Sequence, residues 1–230
     1  MTEVSASALA EMAQKIVDQG KRIARLETLE FGSASGGGGT WVEIETITVN
    51  APITTFSFLN IPQTFLHLAM IFSLRGTGSE WFFATYMRLN NDATDHYWYQ
   101  VCYCQKGTGP DCVWSCENGF PTKESAWEVF FVPELGDELL NDPDCFLAGH
   151  FWLPDYRNQY KKKSALWDAL GTGAASGEIT RQIFRADGGG VWHDLDPVTR
   201  IDVFCVAPKS FAKNSKVSLY GIQGTFEEFP

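Results

Sequence analysis

Thr40-Trp41-Val42-Glu43-Ile44-Glu45-Thr46-Ile47-Thr48-Val49 is the stretch that decides the fold class. Apolar, mostly β-branched residues alternate with polar ones at period two, the pattern of a strand with one dry face. Downstream, Asn50-Ala51-Pro52 turns the chain into a short strand over Thr54–Phe58, and Asn60-Ile61-Pro62-Gln63 turns it again into Phe65–Leu74. The latter is apolar at successive positions, which predicts a central strand buried on both faces. Phe82–Leu89 and His96–Cys104 read as a pair about the turn Asn90-Asn91-Asp92-Ala93-Thr94-Asp95. Strands over Ala126–Val132, Cys145–Leu153, Ile179–Ala186, Arg200–Val206 and Lys216–Ile222 complete the set, separated by Gly- and Asp-rich turns. Only Lys123–Glu128 and Glu134–Leu140 suggest further helical turns. Short strands so punctuated predict a mainly β head, an antiparallel β-sandwich or jelly roll, over residues 40–230.

Upstream, Gly32-Ser33-Ala34-Ser35-Gly36-Gly37-Gly38-Gly39 has the composition of a flexible tether, so residues 32–39 read as a hinge. Residues 1–31 carry a heptad pattern, with Leu9, Ile16 and Ile23 at position a and Met12, Gln19 and Leu26 at d. Glu11, Gln14, Asp18, Lys21, Arg25 and Thr28 face away from that seam. The pattern predicts a coiled-coil helix whose oligomer interface is Leu9, Met12, Ile16, Gln19, Ile23 and Leu26, with polar Gln19 fixing register. Gly20 costs the helix about 1 kcal/mol relative to alanine. Three heptads span only about 30 Å. A helix that short is marginal alone, so the β head is expected to share in holding an oligomer together.

A formal net charge of −10 argues against a nucleic-acid partner, because phosphate binding needs a basic patch. Lys161-Lys162-Lys163 is the one basic run and reads as a solvated loop. No apolar stretch reaches the roughly 18 residues of a membrane span, so no membrane insertion is expected. Met1-Thr2-Glu3-Val4 lacks the basic segment that opens a signal peptide, which predicts synthesis in a cytoplasm. Six cysteines leave three readings. Cys102, Cys104, Cys112 and Cys116 lie close enough in sequence to ligate zinc, but at no common zinc spacing. A disulfide between the Cys102/Cys104 strand and the Cys112/Cys116 loop is the second reading. Buried or idle thiols are the default for a chain made in a reducing compartment.

Five segments in order resemble virion proteins of tailed bacteriophages. Ser57-Phe58-Leu59-Asn60-Ile61-Pro62-Gln63-Thr64-Phe65-Leu66-His67-Leu68 resembles their "F-x-x-I-P-Q-x-Y-x-H-L" segment. Met87-Arg88-Leu89-Asn90-Asn91-Asp92 resembles "L-R-F-N-x-D", although Ala93-Thr94-Asp95-His96-Tyr97 replaces the stretch that usually follows. Leu153-Pro154-Asp155-Tyr156-Arg157-Asn158 is similar to "I-P-D-Y-x-N", with a lysine-rich continuation through Lys163. Gly190-Val191-Trp192-His193 and Thr199-Arg200-Ile201-Asp202-Val203 look like "G-x-W … I-x-x-I". Phe211–Ile222 looks like the closing "F-x-x-G-S-x-x-S-L-Y-G-I", with Asn214 where glycine is usual. Gly107–Asn141 has no counterpart and looks like an insertion. The resemblance implies a structural protein of the virion, on the tail or as a head fibre, and usually oligomeric.

For catalysis the chain offers little. His67, His96, His150 and His193 fall in different segments without a metal spacing, and no nucleophile elbow, P-loop or dinucleotide fingerprint is present. Asp92, Asp95, Asp142, Asp144 and Asp155 read as turn residues before they read as a carboxylate pair. The expectation is a protein that is not an enzyme and needs no cofactor or metal. It is expected to be a homotrimeric tail fibre or appendage subunit residing in the virion, joined to other virion proteins through its N-terminal helix. Alternatives are a capsid fibre or decoration protein without a receptor role, and a carbohydrate-binding module of a virion-associated assembly. If a host surface glycan is a partner, Trp114 and Trp127 are the candidate contacts, because they flank the unmatched segment.

Overall fold

The computed structural model describes residues 40–78, 82–106, 112–118, 124–134, 146–174 and 181–224. The chain divides into two compact units, Met1–Gly38 and Gly39–Pro230, and every described residue lies in the second. The heptad positions from Leu9 to Leu26 and the hinge at 32–39 lie outside the described residues.

Among the described residues all regular structure is strand. In chain order these are β1 (Trp41–Thr48), β2 (Thr55–Phe58), β3 (His67–Leu74), β4 (Phe82–Leu89), β5 (Tyr97–Lys106) and β6 (Cys112–Asn118). Then come β7 (Trp127–Pro133), β8 (Leu147–Pro154), β9 (Lys163–Ala174), β10 (Arg181–Trp192), β11 (Ile201–Phe204) and β12 (Lys216–Ile222). They form two antiparallel sheets, ordered β1-β12-β3-β8-β9-β10-β5-β6 and β2-β11-β4-β7. The order interleaves the chain: β1, β3, β8 and β12 lie in one sheet, while β2, β4, β7 and β11 lie in the other. Two hairpins, β5–β6 and β9–β10, extend the larger sheet beyond this interleaved part. No helix is long and apolar enough to cross a membrane among the described residues.

The core lies between the sheets and follows from alternation. Leu68, Met70, Phe72 and Leu74 of β3, Phe151 and Leu153 of β8, and Val217 and Leu219 of β12 point inward from one sheet. Phe56, Phe58, Met87, Leu89, Ile201 and Val203 meet them from the other. In β1 the partly buried positions change phase from Val42 and Ile44 to Ile47, because the pairing with β12 slips by a bulge between Glu43 and Glu45.

Several expectations are corrected. The strand at Phe65–Leu74 is dry on one face only: Ile71 is exposed and His67 and Ser73 are half-buried on the outer side. β6 and β9 occupy stretches read as loop. β9 has no apolar–polar alternation, because small Ala165 and Ala169 flank Trp167 on its buried side, while Leu166 and Leu170 lie exposed on the other. The Lys161–Lys163 run is not uniformly solvated, since Lys163 is 1% exposed at the start of β9. Where a helical turn was expected at Lys123–Glu128, Glu124 bridges to Tyr97 and the chain from Trp127 is strand; of the turn expected at Glu134–Leu140, residues 135–140 lie outside the described residues.

Candidate functional site

Four connections gather at one end of the sandwich: 59–66 between β2 and β3, 90–96 between β4 and β5, 155–162 between β8 and β9, and 193–200 between β10 and β11. The first residue of β1 and the last of β12 reach the same end, where Trp41 pairs with Ile222, Ile222 with His67, and His67 with Pro154. Side chains tie these turns together. Asn90, held at a φ of 51°, donates from Nδ2 to Pro197 O (2.9 Å) and accepts at Oδ1 from Thr199 N (2.8 Å) and Arg200 N (3.2 Å). Gln63 Nε2 donates to Ile61 O and Val198 O, both at 2.9 Å. Tyr156 Oη donates to Pro62 O, and Arg157 Nη1 to Gln63 O at 2.9 Å. Buried Asp202 accepts from Ser57 at 2.7 Å and forms a bidentate pair with Arg200 at 2.8 and 3.0 Å. Four of the segments quoted for their resemblance, 57–68, 87–92, 153–158 and 190–203, thus meet in space as mutual turn clasps. The fifth supplies β12, seated between β1 and β3.

Within this end, Asp92, His96 and Asp194 bring their ligating atoms to within 4.8 Å of one another. His96 Nδ1 lies 2.9 Å from Asp92 Oδ2 and 3.0 Å from Thr94 Oγ1. Trp192 Nε1 donates to Asp92 Oδ2 at 2.8 Å, and Thr94 donates to Asp92 Oδ1 from both its hydroxyl and its backbone. Burial pushes the Asp92 carboxyl up, but the donors Thr94, Trp192 and His96 outweigh it and hold its pKa at about 2. The hydroxyl, imidazole and carboxylate resemble a nucleophilic triad in composition only. A triad uses opposite ring nitrogens for nucleophile and acid, whereas Thr94 and Asp92 both meet Nδ1. As a cation site the set offers an imidazole and two carboxylates. Both Asp92 oxygens already accept hydrogen bonds, and Asp194 Oδ1 accepts from Leu195 N and Asp196 N. The cluster therefore acts as a clasp between the 90–96 turn and the 193–200 loop. Next to it, Lys163 Nζ donates to Leu195 O (3.0 Å) and Lys161 O (3.3 Å); burial lowers its pKa, opposed by Asp194 and Asp196.

A cleft of about 380 Å³ opens beside the 155–162 turn, lined by Gln63, Asp155, Arg157, Asn158, Gln159 and Tyr160. Asn158 Oδ1 accepts from Tyr160 N (2.7 Å) and Lys161 N (3.1 Å), and Asp155 pairs with Lys161. Tyr160 is 94% exposed. Asp155 N donates to His67 Nδ1 at 3.1 Å, so the ring is a neutral acceptor there, in keeping with the lowering of its pKa by burial. From His67 a row of half-buried rings crosses the outer face of the larger sheet. His67 and Trp152 have centroids 5.6 Å apart, Trp152 and Trp41 6.1 Å, and Trp41 and Tyr220 5.8 Å.

Of the residues expected to meet a receptor, Trp127 is fully buried against Tyr97, Phe151 and Trp167, which removes it from the surface. Trp114 lies on β6 opposite Cys104, with its side chain outside the described residues. Among the described residues, aromatics that are half-buried or exposed include Trp41, Tyr86, Trp98, Trp152, Tyr160 and Tyr220. Period two could have found Trp152, since Phe151 and Leu153 beside it face the core. Cys102 and Cys116 form a disulfide across directly opposed positions of β5 and β6, replacing the default reading of idle thiols for that pair. Cys205 is a buried free thiol whose pKa burial raises to about 11.

Comparison with protein-family models, curated proteins and solved structures finds no match to this chain.

Proposed function

We propose that this chain is a non-enzymatic, oligomeric appendage subunit of a bacteriophage virion, a tail fibre or a related projection, with a jelly-roll head on a short coiled-coil stem. The observation that carries the reading is the use made of the phage-like segments. Ile61-Pro62-Gln63, Asn90-Asn91-Asp92, Asp155-Tyr156-Arg157 and Thr199–Asp202 clasp one another's turns through buried Tyr156 and half-buried Gln63, Asn90 and Arg157, the role expected of a scaffold signature. The interleaved order β1-β12-β3-β8 over β2-β11-β4-β7 supports the jelly-roll assignment, because two nested Greek keys produce it. In this reading Leu9, Met12, Ile16, Gln19, Ile23 and Leu26 form the seam of a parallel homotrimer, and closed symmetry is expected.

Light scattering on the full chain and on a chain shortened to begin at Thr40 tests the proposal. A trimer for the full chain is expected, falling to monomer on shortening if the heptads are the assembly device. A trimer that survives shortening places the interface in the head. Monomers in both cases overturn the appendage reading.

A further inference from the structure

We infer that the cleft beside the 155–162 turn binds a neutral saccharide, with Tyr160 as the stacking ring and the Trp152 row as its extension. This deepens the appendage reading and rests on it for the source of the ligand, a bacterial surface glycan. The cleft has the chemistry of polyol recognition. Gln63, Asn158 and Gln159 bring amides, Asp155 brings acceptors and Arg157 brings donors, so hydroxyls that both donate and accept find partners of either kind. Its volume of about 380 Å³ falls in the range of small-ligand sites, roughly 300–1,000 Å³.

Gln63 is a fixed wall of the cleft. Its Nε2 is committed to Ile61 O and Val198 O, which fixes the amide orientation, since a flip would set oxygen against two carbonyls. Its Oε1 is then a buried acceptor with no donor among the described residues. Tyr160 supplies the face open to a ligand. Its ring is almost wholly exposed, while its backbone is fastened by Asn158, so the ring is presented without support from the protein core. An aromatic face covers the C–H face of a pyranose, and its hydroxyl remains available to the sugar edge.

Preorganisation and charge complete the case. Asp155 at a φ of 50°, the Asn158 cap and the Tyr156 clasp to Pro62 hold the turn before a ligand arrives, which lowers the ordering cost of binding. Asp155 pairs with Lys161 and Arg157 donates to Gln63 O, so the charges at the cleft have protein partners and a neutral saccharide adds no charge that would need one. Asp155 also bonds His67, which touches Trp152; a second sugar leaving the cleft therefore meets the ring row.

The test applies the full chain to a printed array of neutral and acidic bacterial oligosaccharides, alongside the Tyr160→Ala and Gln159→Ala variants, with melting temperature and particle mass measured on the same samples. Neutral glycans should be retained, and each variant should weaken retention about tenfold, about 1.4 kcal/mol, without altering the melting temperature. Retention of acidic glycans only, retention unchanged in both variants, or no retention at all overturns the site. A trimer that retains no sugar leaves the appendage reading standing without this ligand. A monomer that retains neutral sugar keeps the site and overturns the appendage.

Discussion

The interleaved part of the head and its extension are filled in different ways. Where β1-β12-β3-β8 lies over β2-β11-β4-β7, aliphatic and phenyl side chains from two facing sheets fill the space, among them Phe56, Phe58, Phe72, Met87 and Leu219. In the extension, β9-β10-β5 lies beyond the smaller sheet and meets mainly its edge strand, β7. There the missing layer is replaced by indoles. Trp127, Trp167 and Trp192 gather with Tyr97 and Phe151, and β10 offers glycines where the rings press closest. A Cβ at Gly190 would stand 2.6 Å from Trp127 Nε1, and one at Gly188 would stand 2.5 Å from Trp167 Nε1. The lesson is that a sheet can outgrow its partner sheet if large side chains substitute for backbone and small residues make room for them.

The strongest way to break the comparison is Trp127→Ala. It removes the ring that joins β7 to the extension, and a loss of about 3–5 kcal/mol is expected. Hydrogen exchange should show β5, β9 and β10 losing protection before β3 and β12. Equal loss everywhere would mean the two parts form one cooperative unit. Reduction of the Cys102–Cys116 disulfide, or Cys102→Ser, should cost about 3 kcal/mol for a closed loop of 14 residues. The expected effect is confined to the β5–β6 hairpin at the sheet edge, read from exchange of the β6 amides, with β1 through β4 unchanged.

The smallest expected effect sharpens the role of the turn clasps. The folded Asp92 carboxyl titrates at about 2 against an ordinary 3.8, so its folded pKa is depressed. Its contribution is complete above pH 3.8 and lost as the pH falls through the interval to about 2, where the unfolded state takes up the proton first. Asp92→Asn should cost about 1–2 kcal/mol at neutral pH, since it loses charge-assisted bonds from Trp192, Thr94 and His96. It should also flatten the acid limb of a melting-temperature profile. A wild-type profile with no fall over that interval would remove Asp92 as a clasp.

Much of the interleaved part was legible because its strands obey one rule each. The apolar run Phe65–Leu74 marks a strand, although only its alternate residues Leu68, Met70, Phe72 and Leu74 line the core, and the turns Asn90–Asp95 and Asn60–Gln63 carry residues that tolerate left-handed backbone, as Asn60 (φ 53°) and Asn90 do. The extension obeyed no such rule. Gly188-Gly189-Gly190 reads as a turn but runs through the middle of β10, because glycine is what the indoles of Trp127 and Trp167 demand of the strand beneath them. Trp127 was expected at the surface for the same reason: proximity to the unmatched segment says nothing about which face of β7 looks inward. The cleft was invisible as well. Gln63, Asn158 and Tyr160 come from connections far apart in the chain, and only the clasp of Tyr156 to Pro62 brings them side by side.

By itself, the sequence determined that the head is mainly β, where most strands of the interleaved part run, and which turns separate them, since alternation and turn chemistry act over a few neighbouring residues. Tertiary structure alone decided the interleaved order of those strands, the burial of Trp127 and Lys163, the pairing of Cys102 with Cys116 and the exposure of Tyr160. Each of these depends on which distant segment arrives opposite, and that is settled by the free energy of the whole core and not by local preference.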